Sequence, residues 1–242
     1  MNIYLMSDKT LELIELKNYL PLLNSLNLKQ NLNNKTIVVL IKNTNFKDFS
    51  KELIQFLSAQ EKERFSRISI QDLQQKFIIH RALLRLQLAN ILKLPASEIT
   101  IDISKYGKPF LNQNINGLGL KFNLSHSENY ALYAFSLNSE VGIDIEEARP
   151  HMALFETASL VLAKCEIAQL KALPSAERSS AFLKLWTKKE AISKALGQGL
   201  NMDFKTLVVG LGAESLAPAS YPHIVLNELS LAPHYFACLA NY

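Results

Sequence analysis

The hexapeptide Val141-Gly142-Ile143-Asp144-Ile145-Glu146 sets two carboxylates one strand repeat apart. An extended chain alternates its side chains between faces, so Asp144 and Glu146 share one face, and Ile143 and Ile145 the other. Carboxylates so placed repel each other unless they face water or share a cation. Oxygen donors without His or Cys suit a hard ion, and Mg²⁺ in particular is usually held by one or two carboxylates together with substrate phosphates. The competing reading is an edge strand with a wet acidic face. Further along, Trp186, Glu190 and Lys194 recur every four residues, and Lys189 stands four residues beyond Leu185 on the apolar stripe of the same helix. Glu190 and Lys194 are either a surface pair worth about 0.3 kcal/mol or the lining of a pocket beside the chain's one tryptophan. The run Phe122-Asn123-Leu124-Ser125-His126-Ser127 brings further polar groups. Neighbours on an extended chain point opposite ways, so His126 is not placed to activate Ser125, and a serine hydrolase is rejected. A turn held by side-chain hydrogen bonds and a polar clamp on a phosphate are the two readings left open.

Elements must position these groups. Apolar residues Leu73, Phe77, Leu84, Leu88 and Ile91 recur near helical spacing, which predicts a helix over 72–94 with Pro95 as its stop. Residues 130–137 and 141–146 read as strands, and Asn138-Ser139-Glu140 between them predicts an antiparallel hairpin. Two helices follow, over 153–172 and 178–196, the second ended by Gly197 in a left-handed conformation. Gly197-Gln198-Gly199 is thereby explained as a helix stop rather than a phosphate loop. Strands are further expected over 36–41, 206–210, 223–226 and 235–239. Segregated strands and helices without a repeat predict an α+β fold.

Composition removes several function classes. The chain has 242 residues, 48% of them hydrophobic and 20% charged, which are globular proportions. Its longest apolar runs are about five residues, against about 20 for a membrane span. The start carries Asp8 before any Lys and lacks the pattern of a secretory leader, so a cytoplasmic protein is expected. Cys165 and Cys238 lie in unlike contexts, which leaves neither a disulfide framework nor a structural zinc site. Residues 1–120 hold 16 basic and 10 acidic groups, whereas 121–242 hold 10 and 12. That excess, carried by residues such as Lys62, Arg64, Arg67, Lys76, Arg81, Arg85, Lys105 and Lys108, suits solvated helix faces or contact with phosphates. No zinc finger or aromatic-rich RNA-binding motif accompanies it, so no nucleic-acid partner is expected.

In their order along the chain, Tyr106-Gly107-Lys108-Pro109, FNLSHS at 122–127, GIDIE at 142–146 and WTKKEAISKALGQGL at 186–200 resemble the 4′-phosphopantetheinyl transferases of the surfactin-synthetase-activating (Sfp) type. The resemblance runs over about 95 residues; the first 60 residues match by length and position alone. It implies two similar α+β halves related by a pseudo-twofold axis, residues 1–120 and 121–242, with coenzyme A and Mg²⁺ in a cleft between them. The implied reaction moves the phosphopantetheine arm of coenzyme A to a serine of an apo acyl, peptidyl or aryl carrier protein and releases 3′,5′-ADP. The resemblance makes Asp144, Glu146 and Glu190 the metal ligands and Glu190, directly or through a metal-bound water, the acceptor of the serine proton, with Lys189 and Lys194 on phosphate oxygens near the reacting phosphorus. Lys108, Ser125 and His126 match positions that hold the nucleotide and its 3′-phosphate, and Arg64 and Lys76 fall near further basic contacts. Glu61 departs from the pattern where a Lys is expected. The apolar residues Met152, Leu154 and Phe155 after the metal strand are read either as part of an ordinary helix packed on the core, the slightly favoured reading, or as a carrier-docking surface, and a monomer is expected from the resemblance. Two other functions compete: an inactive binder of coenzyme A or carrier protein, and a metal-dependent hydrolase that cleaves the same pyrophosphate. Intact Asp144, Glu146, Lys189, Glu190 and Lys194 argue against the first, and only the acceptor, water or serine, separates the second.

Overall fold

The computed structural model describes residues 2–5, 11–19, 21, 27–33, 35–148, 154–211 and 218–242. The strands are β1 Asn2–Leu5, β2 Leu11–Leu16, β3 Thr36–Lys42, β4 Ile101–Ile103, β5 Pro109–Leu111, β6 Lys121–His126, β7 Tyr130–Ser136, β8 Val141–Glu147, β9 Val225–Leu229 and β10 Tyr235–Asn241. Among the described residues the α-helices of eight residues or more are α1 Ala59–Ser66, α2 Gln71–Leu92, α3 Leu154–Val161, α4 Lys164–Ala172 and α5 Ser175–Leu196. The chain divides into two compact units: unit 1 holds 1–102, 110–121 and 128–138, and unit 2 holds 103–109, 122–127 and 139–242. Both mix sheet and helix, so the fold class is α+β.

In unit 1, β1 pairs antiparallel with β2, β2 parallel with β3, and β3 antiparallel with β7. β3 reads Thr-Ile-Val-Val-Leu-Ile-Lys, and its first six residues are buried, as befits a β-branched run covered on both faces. α2 is buried almost all round from Ile78 to Leu88, whereas Leu73, expected on its apolar face, is 48% exposed. It is therefore a central helix and not a half-wet one. α2 ends at Lys93, which takes a left-handed conformation with φ 58° two residues before Pro95. α1 opens with a reciprocal cap, in which Glu61 N donates to Ser58 Oγ at 3.2 Å and Ser58 N to Glu61 Oε2 at 2.9 Å. The same carboxylate lies 3.5 Å from the buried Arg85 guanidinium, whose pKa burial lowers while Glu61 opposes the shift. Glu61 thus has two local structural duties that a Lys could not perform.

In unit 2, β10 lies between β8 and β9, antiparallel to both, with Cys238 opposite Asp144 and Phe236 opposite Glu146. α5 packs over this sheet, bringing Phe182, Leu185 and Ile192 into one core with Leu226, Cys238 and Ala240. The hairpin expected from 130–137 and 141–146 does not form. β7 pairs with β3, where Tyr133 and Phe135 are fully buried, and β8 pairs with β10, the pairing being continued by reciprocal Glu140–Tyr242 backbone bonds of 2.9 and 3.1 Å. Burial against partners distant in sequence outweighed a local turn signal. The single helix expected over 153–172 is two, α3 and α4, because Ala163 N is capped by Glu166 Oε2 at 2.8 Å and starts a new helix. Residues 206–210 are turn and irregular chain rather than strand. α5 ends as expected at Gly197, φ 68°, with Gln198 N bonded to Ser193 O and Gly197 N to Lys194 O. Among the described residues no helix is long and apolar enough to cross a membrane.

Candidate active site

The face of β8 that carries Gly142, Asp144 and Glu146 is the face on which α5 lies. A Cβ at Gly142 would stand 2.0 Å from Ala191 O and 2.2 Å from Ala195 N, so only glycine lets the helix backbone come this close. Two residues on, Asp144 is buried and its Oδ1 accepts from Lys194 Nζ at 2.6 Å and from Ser125 Oγ at 2.9 Å. Lys194 Nζ also donates to Ser125 Oγ at 3.0 Å. At the third position Glu146 Oε1 accepts from the Trp186 indole at 3.3 Å. The i, i+4, i+8 row of α5 therefore meets the alternate residues of β8, helical and strand periodicities in register. β8 is itself pinned by Asn123, whose Oδ1 accepts from Ile143 N at 2.9 Å.

The electrostatics of this face are unbalanced. Asp144 Oδ2 and Glu190 Oε1 are buried and have no hydrogen-bond partner among the described residues. Burial pushes the Glu190 carboxyl up to about 7; Lys194 opposes that shift, and the charges of Asp144 and Glu146 add to it. Orphaned carboxylate oxygens of this kind call for a proton or a cation, and an all-oxygen donor set fits a hard divalent ion. Among the described residues, no three Asp, Glu, His or Cys side chains are gathered as they would be around a bound ion. The donors fit a hard ion by type and by their two unpaired oxygens, although they are not drawn together around one point and Lys194 is paired with Asp144. Beside Lys194 opens a cavity of about 210 Å³ lined by Tyr106, Gly107, Lys108, Asn123, Gly197 and Gly199 among others.

Two family models match this chain. One, described as the 4′-phosphopantetheinyl transferase superfamily, covers residues 140–223, and one described as 4′-phosphopantetheinyl transferase, N-terminal, covers residues 43–138. The chain belongs to the 4′-phosphopantetheinyl transferase superfamily. It is similar to the 4′-phosphopantetheinyl transferase HetI of Nostoc sp., at 34% identity over 62% of this chain and 63% of the relative. It is also similar to the transferase Sfp of Bacillus subtilis, at 26% identity over 72% and 75%, and to AcpT of Salmonella typhimurium, at 38% over 38% and 46%. The match spans about three fifths of the length of HetI and of a Synechocystis relative.

The residues expected from the transferase motifs fall into three groups. Asp144 and Lys194 meet where α5 lies on β8 and share Ser125 of β6, Trp186 of α5 reaches Glu146, Glu190 lies between Trp186 and Lys194 on the same row of α5, and Lys108 borders the cavity beside Lys194. Lys108 Nζ caps the end of α5 through Ala195 O at 2.8 Å and pairs with Glu140 at 3.0 Å, while His126 is exposed at the end of β6. Lys189 requires a correction. Its side chain is fully buried, and Nζ spends all three protons on Glu166 Oε2, Phe204 O and Leu207 O at 2.7, 2.7 and 2.5 Å, so none is left for a phosphate. Arg64 and Lys76 belong to unit 1. The Arg64 guanidinium sits 5.7 Å over the Phe77 ring, and Lys76 Nζ pairs with Asp72 at 2.7 Å and Glu128 at 2.5 Å. Of the candidate docking residues, Met152 lies outside the described residues; Leu154 and Phe155 begin α3, where the Arg178 guanidinium lies over the Phe155 ring. Sequence reasoning missed Asn123 and the contact of Trp186 with Glu146. A glycine inside an otherwise bulky strand was the one signal of close approach.

Proposed function

We propose that the protein is a Mg²⁺-dependent 4′-phosphopantetheinyl transferase that moves the phosphopantetheine arm of coenzyme A to a serine of an apo carrier protein. The observation that carries this reading is the pair of buried, orphaned oxygens of Asp144 and Glu190 beside Lys194. Asp144, Glu146 and Glu190 would hold the ion, which when bound offsets the charge that develops on the leaving oxygen of the pyrophosphate. Lys194 would take a phosphate oxygen, which its 24% exposure and its position on the cavity wall support. Lys108, Ser125 and His126 are assigned to the nucleotide portion of coenzyme A, and Arg64 and Lys76 to further phosphate contacts, on the resemblance.

The serine Oγ of the carrier forms a bond to the pantetheine-bearing phosphorus, the bridging P–O bond breaks, and 3′,5′-ADP departs. Glu190 accepts the serine proton. A monomeric, cytoplasmic enzyme is part of the same proposal, and the free Cys165 and Cys238 fit a reducing compartment. Chromatography of a reaction holding coenzyme A, Mg²⁺ and a panel of apo carrier proteins tests the reading. Release of 3′,5′-ADP that requires a carrier supports it. Release without any carrier would make the protein a hydrolase, and coenzyme A binding with no release at all would make it an inactive binder.

A further inference from the structure

The buried charge pair of unit 2 lies outside the reaction just described, yet it is tied to the acidic face by a continuous run of contacts. Glu166 is 1% and Lys189 0% exposed at the side chain. Every polar atom of the pair is engaged: Glu166 Oε1 accepts from Val209 N at 2.8 Å, Oε2 accepts from Ala163 N at 2.8 Å, and Lys189 Nζ donates to Phe204 O and Leu207 O. Burying two charges costs several kcal/mol per ion unless geometry and hydrogen bonds are complete, and a pair so placed is weak evidence for stability alone. What it holds is specific. It fixes α4, α5 and the irregular segment 204–209 to one another, and that segment carries Phe204, whose ring packs against Trp186 at 5.4 Å and 52°. Trp186 then donates its one N–H to Glu146.

We propose that Lys189 is a positioning residue: with Glu166 it locks the segment that backs Phe204 against Trp186, and Trp186 fixes the carboxylate of Glu146 for the cation. This rests on the reading of Asp144, Glu146 and Glu190 as the metal-holding face. A donor behind a ligating carboxylate sets its orientation, and loss of such a partner typically costs about 10–100-fold in metal affinity. Lys189 sits beside Glu190 in sequence because adjacent helical positions point 100° apart, one toward the core brace and one toward the site.

Trp186 is the only tryptophan in the chain, so its emission reports the brace without reference to activity. The experiment uses the full chain with Mn²⁺ as the probe, followed by calorimetry, and records tryptophan emission of the metal-free protein. Three variants are compared: Lys189→Met combined with Glu166→Gln, which removes both charges together; Phe204→Leu, which leaves the backbone carbonyls of the segment in place; and Trp186→Phe for the metal arm alone. The expected result is a red-shifted emission in the first two and Mn²⁺ affinity about 10-fold weaker in all three, with circular dichroism unchanged. Folded Phe204→Leu protein with wild-type emission and wild-type Mn²⁺ affinity would overturn the inference by itself, even if the double variant failed to fold. Wild-type protein that binds no Mn²⁺ would overturn the metal reading and the inference with it.

Discussion

Gly142→Ala adds one methyl group, and the structure says where it must go. The new Cβ would lie 2.0 Å from Ala191 O, 2.2 Å from Ala195 N and 2.9 Å from Ala195 Cα, all of them backbone atoms that cannot rotate away. Restoring a contact of about 3.5 Å requires α5 to retreat from β8 by more than about 1 Å. Overpacking of this kind costs about 1–3 kcal/mol, and the upper end applies where backbone must move. For a chain of this size 3 kcal/mol corresponds to about 6–12 °C in Tm. The displacement also stretches the 2.6 Å Lys194–Asp144 bond and separates Glu190 from the strand it faces, and a misplacement of about 1 Å can cost about 10²-fold in rate. Thermal unfolding and the initial rate of carrier modification, measured on the same preparation, read both effects. Gly117→Ala is the control, since nothing lies within 4 Å of a Cβ there. Gly142→Ala protein with a Tm within 2 °C of wild type and an unchanged rate would refute the claim that this strand and helix are in backbone contact.

Glu190→Gln should lower the transfer rate by about 10²–10³ at unchanged or higher Tm, because it removes a buried charge that faces Asp144 and Glu146. Scanning calorimetry beside the rate assay checks both halves. Lys108→Met should raise the apparent KM for coenzyme A and cost about 1 kcal/mol of stability, having lost the Ala195 carbonyl and Glu140; urea unfolding beside saturation kinetics measures it. A thiol reagent should titrate one cysteine quickly in the native protein, Cys165, because burial raises the pKa of the Cys238 thiol and hides it; two fast thiols would contradict the core packing of β10.

The alternation that set Asp144 and Glu146 on one face, and the four-residue interval that aligned Trp186, Glu190 and Lys194, were both readable because they are local periodicities. So was Gly197, whose positive φ ends α5. What escaped the sequence was decided between distant segments. β7 carried a turn signal toward β8, yet Tyr133 and Phe135 were worth more buried against β3. Lys189 matched a motif position, but its direction depended on Glu166 and on the carbonyls of Phe204 and Leu207, the second of them in a stretch read as strand. Asn123 looks like one more polar residue in FNLSHS until Ile143 N is seen donating to it. Glu61 reads as a departure from the pattern and is explained by its cap and by Arg85, a residue 24 positions away.

The most direct test of the account is the intact mass of an apo carrier protein after incubation with coenzyme A, Mg²⁺ and either wild-type protein or Asp144→Asn. Wild-type protein should add one phosphopantetheine-sized increment, a chelator should abolish it, and the folded variant should add none in the same time. A carrier modified equally fast by Asp144→Asn protein, or at full rate in the presence of chelator, would contradict the assignment of the chemistry to the acidic face of β8 and α5.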